Sequence, residues 1–201
     1  MDANRFEVAQ TKSNIQPSSV AGAPLKSRPS LTLVLPAFNE QEVIGQAIRE
    51  ADEALAGIAD DYEILVVDDG CTDQTAAIVE REMLVRPAVR LLRQPKNLGY
   101  GAALARGFRE ASKDLVSFTD SDCQFDLTEL ERLVMLSRSY DVVCGYRIDR
   151  QDPWMRKVYS SVYNTIVRTL LGTRVRDCDC AMKVFRRDAI QNVTIETKGF
   201  F

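Results

Sequence analysis

The chain has 201 residues, 45% of them apolar and 27% charged, with a net charge of −3. That length suits one well-buried domain and is too short for two comfortable ones, and the balance of residues is ordinary for a globular protein. The absence of histidine excludes a Ser-His-Asp triad, a Cys-His pair, a histidine general base and every histidine metal site.

The five cysteines (Cys71, Cys123, Cys144, Cys178 and Cys180) are odd in number and form no CxxC pair, which argues against a disulfide framework or structural zinc and favours a reducing cytosol. No apolar run reaches the roughly 18 to 20 residues that span a bilayer, and the first residues lack a signal-peptide pattern. Charge is unevenly spread. Tyr146 to Arg187 holds ten Lys or Arg against four Asp, a local +6 that leaves −9 elsewhere. Nothing in this balance points to nucleic acid.

Residues 1–29 are polar and aperiodic and read as a disordered leader; residues 30–201 read as one domain. Leu31 to Leu35 is an apolar run closed by Pro36, a first buried strand. After Ala37-Phe38-Asn39-Glu40, apolar residues recur at helical spacing from Val43 to Leu55, with Asn39 a candidate cap and Glu40 suited to the positive helix start. The pattern repeats: a strand Tyr62 to Val67 ending in Asp68-Asp69-Gly70, then a helix that Asp73 can cap, extending toward Pro87. A third strand, Val89 to Leu92, leads through Pro95-Lys-Asn97-Leu-Gly99 into a helix of small residues, Ala102 to Ala111. A fourth, Asp114 to Thr119, opens into Asp120-Ser-Asp122-Cys-Gln124; a helix over about 127–137 and a strand from Asp141 to Gly145 follow. Strands alternating with helices predict an α/β fold, a doubly wound and mostly parallel sheet.

Every acidic or Gly-rich turn then falls after a strand, on the edge where open α/β sheets bind ligands. Two carboxylates one residue apart, with Gln124 adding a neutral oxygen, make a hard-oxygen site for Mg²⁺ or Mn²⁺; taken alone, Asp120 and Asp122 fit a solvated turn equally well. With Asp68, Asp69, Asn97 and Gly99 on the same edge, the combined reading is a nucleotide-diphosphate pocket. The Gly-rich turn matches neither the dinucleotide fingerprint nor the P-loop.

Four ordered motifs, Pro36-Ala-Phe-Asn-Glu40, Val67-Asp-Asp-Gly-Cys-Thr-Asp73, Asn97-Leu-Gly99 and Asp120-x-Asp122-x-Gln124, closely resemble glycosyltransferase family 2, whose fold is GT-A. Gln124, the Gly145-Tyr-Arg147 turn and Asp177-Cys-Asp-Cys-Ala-Met-Lys183 look most like its polyprenyl-phosphate (dolichyl-phosphate) hexosyltransferase branch, although relatives often have Ser-Gly-Phe-Lys where this chain has Cys180-Ala-Met-Lys183. The resemblance implies a UDP- or GDP-hexose donor, a divalent cation and inversion at the anomeric carbon. It implies that Pro36, Phe38 and Glu40 cradle the nucleoside, that Asp68 or Asp69 hydrogen-bonds base or ribose, and that Asp120, Asp122 and Gln124 hold metal and diphosphate. A lipid-phosphate acceptor is already anionic and needs positive charge, which Arg147, Arg156 and Lys183 offer. A hydroxyl acceptor needs a base, for which Asp177 or Asp179 stands where such relatives place one.

From Trp154 to Leu171 apolar pairs recur every four residues beside Arg156, Lys157 and Arg168, an amphipathic helix ended by Gly172 that suits core packing or a membrane interface. Expected with it are peripheral contact and a cytoplasmic location at the membrane face. Because relatives usually continue past Lys198-Gly-Phe-Phe201, the domain reads as truncated at its carboxyl end.

Overall fold

A computed structural model of the chain describes residues 29–121, 126–147 and 182–191, together with the backbone of 6–8; at Tyr146 and Arg147 the backbone alone is described. The described residues include seven strands: β1 (Phe6–Val8), β2 (Leu31–Ala37), β3 (Tyr62–Asp68), β4 (Val89–Arg93), β5 (Leu115–Phe118), β6 (Val142–Arg147) and β7 (Lys183–Arg186). The helices are α1 (Ile44–Ile58), α2 (Thr75–Val85), α3 (Tyr100–Glu110), α4 (Leu130–Leu136) and the short α5 (Arg187–Ile190). The strand order is β1-β6-β7-β5-β2-β3-β4. β5, β2, β3 and β4 pair in parallel, β7 lies antiparallel between β5 and β6, and β1 pairs antiparallel with β6. Five of the seven strands therefore point the same way, the mostly parallel sheet that the alternating elements predict.

Continuous apolar runs form the centre because both faces are covered. All seven residues of β2 are buried. On one face α1 lays down Ile44, Ala47, Ile48, Ala51, Leu55 and Ile58, a stripe at helical spacing, against Leu31, Leu33, Leu35, Ile64 and Val66, with α4 adding Leu130 and Leu133. On the other, α3 packs Ala103, Leu104 and Phe108 onto Val34, Leu65, Val67, Val116 and Phe118. Each fully buried Leu or Ile contributes about 1.5–3 kcal/mol.

Several boundaries differ from the sequence expectation, each for a physical reason. β2 runs past Leu35 through Pro36 to Ala37. A proline normally interrupts a central strand, but the side of β2 to which Val34 and Pro36 turn their carbonyls meets β5, whose ladder ends at Phe118. Beyond it Thr119 N donates to Val34 O (3.2 Å) and Ser121 Oγ to Pro36 O (2.8 Å), so the missing N–H of Pro36 leaves no gap. The helix expected over 127–137 starts as a 3-10 turn, Leu127–Glu129, which the Asp126 side chain caps by accepting from Thr128 N. β1 draws three residues from the polar leader, and β7, a four-residue Lys-Val-Phe-Arg segment, has no alternation to announce it. The amphipathic segment 154–171 lies outside the described residues.

At the amino ends of the strands, opposite the acidic turns, a buried Glu63 ties four segments together. Its Oε1 accepts from Thr32 Oγ1 (2.8 Å), Ser112 N (2.7 Å) and Ser112 Oγ (2.8 Å), and its Oε2 from Arg90 Nη1 (2.8 Å). Burial opposes its charge, but these four donors outweigh it and hold the carboxyl below its ordinary value. A lowered folded-state value means that the contribution is fully present above the unfolded value near 4.5 and is lost as pH falls through the folded one. Urea unfolding between pH 6 and 2 is expected to show Glu63→Gln losing less stability on acidification than the wild type.

Close approach of α3 to the sheet depends on Gly107, where an added Cβ would lie 2.3 Å from Val34 Cγ1. Gly107→Ala is expected to destabilise the fold by ~1–3 kcal/mol, the usual cost of overpacking, read as a lower urea midpoint.

Candidate functional site

At the carboxyl edge of β2, β3 and β5 the connecting loops surround an open cleft of about 410 Å³, lined by Pro36, Ala37, Phe38, Glu40, Asp69, Asn97, Gly99, Tyr100, Ala103, Asp120 and Ser121. Its volume lies within the range of small-molecule sites. Seven residues expected at a nucleotide pocket meet there: Pro36, Phe38, Glu40, Asp69, Asn97, Gly99 and Asp120. Phe38 keeps 44% of its surface exposed, an aromatic face open to a planar ligand.

The first loop is stitched to the second. Asn39 adopts a positive φ of 57°, a conformation that asparagine tolerates better than most residues. Its Oδ1 accepts from Thr72 N (2.8 Å) and Thr72 Oγ1 (3.3 Å), while Asn39 N donates to Cys71 Sγ (3.3 Å). Glu40 N donates to Thr75 Oγ1 (2.8 Å) and Gln41 N to Asp73 Oδ2 (3.2 Å). The expectation that Asn39 caps the following helix is therefore corrected: α1 begins at Ile44 with no side-chain cap, because the Asn39 side chain is committed across the loop. Asp73 does hold the start of α2, accepting from Thr75 N (2.9 Å) and Thr75 Oγ1 (2.6 Å). Burial works against its charge, yet the bonds from Thr75 and Gln41 keep its carboxyl below the ordinary range.

Asp68 and Asp69, adjacent in sequence, have separate tasks. Asp68 Oδ1 accepts from Cys71 N (2.7 Å) and its Oδ2 stands 4.0 Å from Arg93 Nε. It is absent from the cleft lining, so of the two carboxylates expected to meet a base or ribose only Asp69 is on the wall. Asp69 Oδ1 accepts from Gln94 Nε2 (2.8 Å) and Leu98 N (2.8 Å), and Oδ2 from Gly99 N (2.9 Å). One buried carboxylate thus fixes the turn that leads into α3. Gly70 completes the junction: its φ is +76°, and a Cβ there would sit 2.4 Å from Asn97 N. Cys71 is not a reactive thiol, since burial first and the neighbouring Asp68 next push it up to about 11.

A family model described as glycosyl transferase family 2 matches residues 32–194. The chain belongs to glycosyl transferase family 2. Among solved structures it is similar to glucosyl-3-phosphoglycerate synthase from Mycobacterium tuberculosis in complex with Mn²⁺, UDP and phosphoglyceric acid, at 22% identity over 80% of this chain and 56% of that one, with a TM-score of 0.58. The same synthase with Mn²⁺ and UDP-glucose gives a TM-score of 0.60 at 22% identity, over 82% of this chain and 58% of that one. S. aureus TarS 1-349 matches at 20% identity over 81% of this chain and 48% of that one, with a TM-score of 0.56. Likeness at this level establishes the GT-A fold. The chain spans little more than half the length of the synthase chains.

In this family 2 domain five expected site residues, Asp122, Gln124, Arg156, Asp177 and Asp179, lie outside the described residues, as does the side chain of Arg147. The backbone places Arg147 at the end of β6, on the same edge of the sheet as Asp120. Asp120 puts an anionic oxygen on the cleft wall, a hard donor that fits Mg²⁺ or Mn²⁺. Among the described residues no group of three or more Cys, Asp or Glu that could hold a metal ion gathers.

Tyr100, Ala103 and Ser121 line the cleft without having been singled out from sequence. Tyr100 could have been: it is the one large side chain between Gly99 and Gly101 at the mouth of a helix of small residues. Ser121 gives no such signal, because its role, donating to Pro36 O, depends on a strand 85 residues away in sequence.

Asp69→Ala strips the acceptor from two backbone amides and one side-chain amide. It is expected to cost ~2 kcal/mol or more in urea unfolding, and to speed hydrogen exchange at Leu98 and Gly99 while the β2 and β3 amides stay protected.

Proposed function

We propose that this domain transfers a hexose from a nucleotide-diphosphate sugar to a phosphate-bearing acceptor, with inversion at the anomeric carbon and with Mg²⁺ or Mn²⁺ as cofactor. The observation that carries the reading is the cleft itself, in which four motif turns far apart in sequence converge on one edge of a GT-A sheet. Phe38 offers a half-exposed ring to a nucleobase. Gly99 and Tyr100 bring the start of α3, and with it the positive end of the helix dipole, to the wall where a diphosphate would lie. Asp120, with Asp122 and Gln124, would hold the cation. When bound, that ion supplies electrostatic stabilisation of the charge that builds on the departing nucleotide diphosphate.

For the acceptor, polyprenyl phosphate is the reading favoured by Gln124, the Gly145-Tyr-Arg147 turn and the segment Asp177 to Lys183. An anionic acceptor needs cationic partners more than a base. Lys183 pairs in register with Phe118, two residues before Asp120, and its Nζ stands 5.7 Å from the Phe118 ring centroid, so positive charge lies at the edge of the sheet where the β6 backbone ends at Arg147. Peripheral contact at the cytoplasmic face of a membrane belongs with this reading; among the described residues no helix is long and apolar enough to cross one. A second reading, transfer to a hydroxyl of a soluble phosphorylated acceptor with Asp177 or Asp179 as base, draws support from the phosphoglyceric acid bound by the M. tuberculosis synthase.

Calorimetric titration with UDP-glucose, GDP-mannose and UDP-N-acetylglucosamine is expected to show binding of one donor in Mn²⁺ that EDTA removes. Asp122→Ala is expected to lose that metal-supported binding while melting as a folded protein. Radiolabelled sugar passing to a short polyprenyl phosphate in detergent, and not to phosphoglycerate, would select the lipid acceptor; the reverse would select the soluble one. Failure to bind any donor would refute the reading.

A further inference from the structure

We infer that Tyr100 is a positioning residue that orients the carboxylate of Asp120 for the cation. This rests on the reading of the cleft as a nucleotide and metal site, and it concerns a side chain that the sequence motifs leave unassigned.

The phenol of Tyr100 donates to Asp120 Oδ1 at 2.7 Å, a short, charge-assisted contact. Both ends of that bond are fixed from behind. On one side Tyr100 is the first residue of α3, and its ring packs against the core cluster that includes Val34, Val67 and Phe118. The backbone just ahead of it is set by Asp69, whose Oδ2 holds Gly99 N, and by a φ of +95° at Gly99 that glycine adopts without strain. On the other side Asp120 sits between two residues anchored to β2, Thr119 through its amide and Ser121 through its hydroxyl. The main chain around Asp120 is thereby fixed by the sheet and its carboxylate by the helix. A carboxylate has about four lone-pair positions, and a bond to one of them from a rigid donor restricts rotation of the group. Partners of this kind, one step removed from a metal, are commonly worth 10- to 100-fold in metal affinity.

Tyr100→Phe removes the hydroxyl and keeps the ring's packing. The test is a set of calorimetric titrations of the full chain with UDP and with GDP, each in Mn²⁺ and in EDTA, for the wild type, Tyr100→Phe, Asp120→Ala and the double variant. The expected result is a loss of about tenfold or more in Mn²⁺-dependent nucleotide affinity for Tyr100→Phe, with the affinity in EDTA unchanged. No further loss is expected when Tyr100→Phe is added to Asp120→Ala, because a residue acting through Asp120 has nothing to orient once that carboxylate is gone. Wild-type affinity of Tyr100→Phe in Mn²⁺ would overturn the inference. So would an equal loss in EDTA or in the Asp120→Ala background, either of which would mean that the phenol touches the nucleotide directly. Absence of any Mn²⁺ effect in the wild type is the distinct outcome that removes the proposed function and this inference together.

Discussion

A single buried carboxylate, Asp69, decides where the cleft wall stands. Its three hydrogen bonds, to the Gln94 side chain and to the amides of Leu98 and Gly99, bind the loop after β3 to the loop after β4. An ionised carboxylate is stable in a buried position only when its lone pairs are satisfied, so this arrangement satisfies the acid and fixes the turn at once. Everything downstream inherits the constraint: the start of α3, the position of Tyr100 and, through the phenol, the orientation of Asp120. The glycine at position 70 is required by the same junction, since no Cβ fits against the Lys96-Asn97 backbone.

The sheet explains why the loops can be organised so tightly on one edge. β2, β3 and β4 end at the same level and β5 three residues short of them, and the apolar runs of the sheet are covered by α1 and α4 on one face and α3 on the other. Polar groups are gathered at the two ends. At the amino end Glu63 collects donors from β2, from β4 and from the turn before β5, a purely structural use of a charge. At the carboxyl end Asp68 and Asp73 brace loops, Asp69 braces a loop from the cleft wall, and Asp120 lines the cleft. Similar residues thus differ in task according to the donors that their oxygens meet, backbone amides for Asp68, Asp69 and Asp73 and the Tyr100 phenol for Asp120.

That division bears on the chemistry. A site that must stabilise developing charge gains most when its groups are already oriented before the ligand arrives, because no reorganisation is then needed during the reaction. Stitching the Phe38-Asn39-Glu40 loop to residues 71–75, and the Asn97-Gly99 turn to Asp69, provides such preorganisation with bonds that touch no ligand.

Sequence by itself determined a good deal here. Apolar runs bounded by turn residues located β2, β3, β4, β5 and β6, and helical periodicity located α1, α2 and α3, because burial on two sheet faces writes itself directly into the pattern. Asp69, Asn97, Gly99 and Asp120 were legible because turns after parallel strands share an edge, and Pro36, Phe38 and Glu40 through the resemblance to family 2. Only the tertiary structure decided which of two adjacent aspartates reaches the cleft, that Asn39 ties two loops instead of capping a helix, that Pro36 continues a strand, and that β7 inserts antiparallel between β5 and β6. Each of these depends on a partner distant in the chain: the Leu98 and Gly99 amides that hold Asp69, Thr72 and the end of β5 for the first three, and an open edge of β5 for the last. Local pattern encodes which residues are buried; it does not encode which distant donor a side chain will meet.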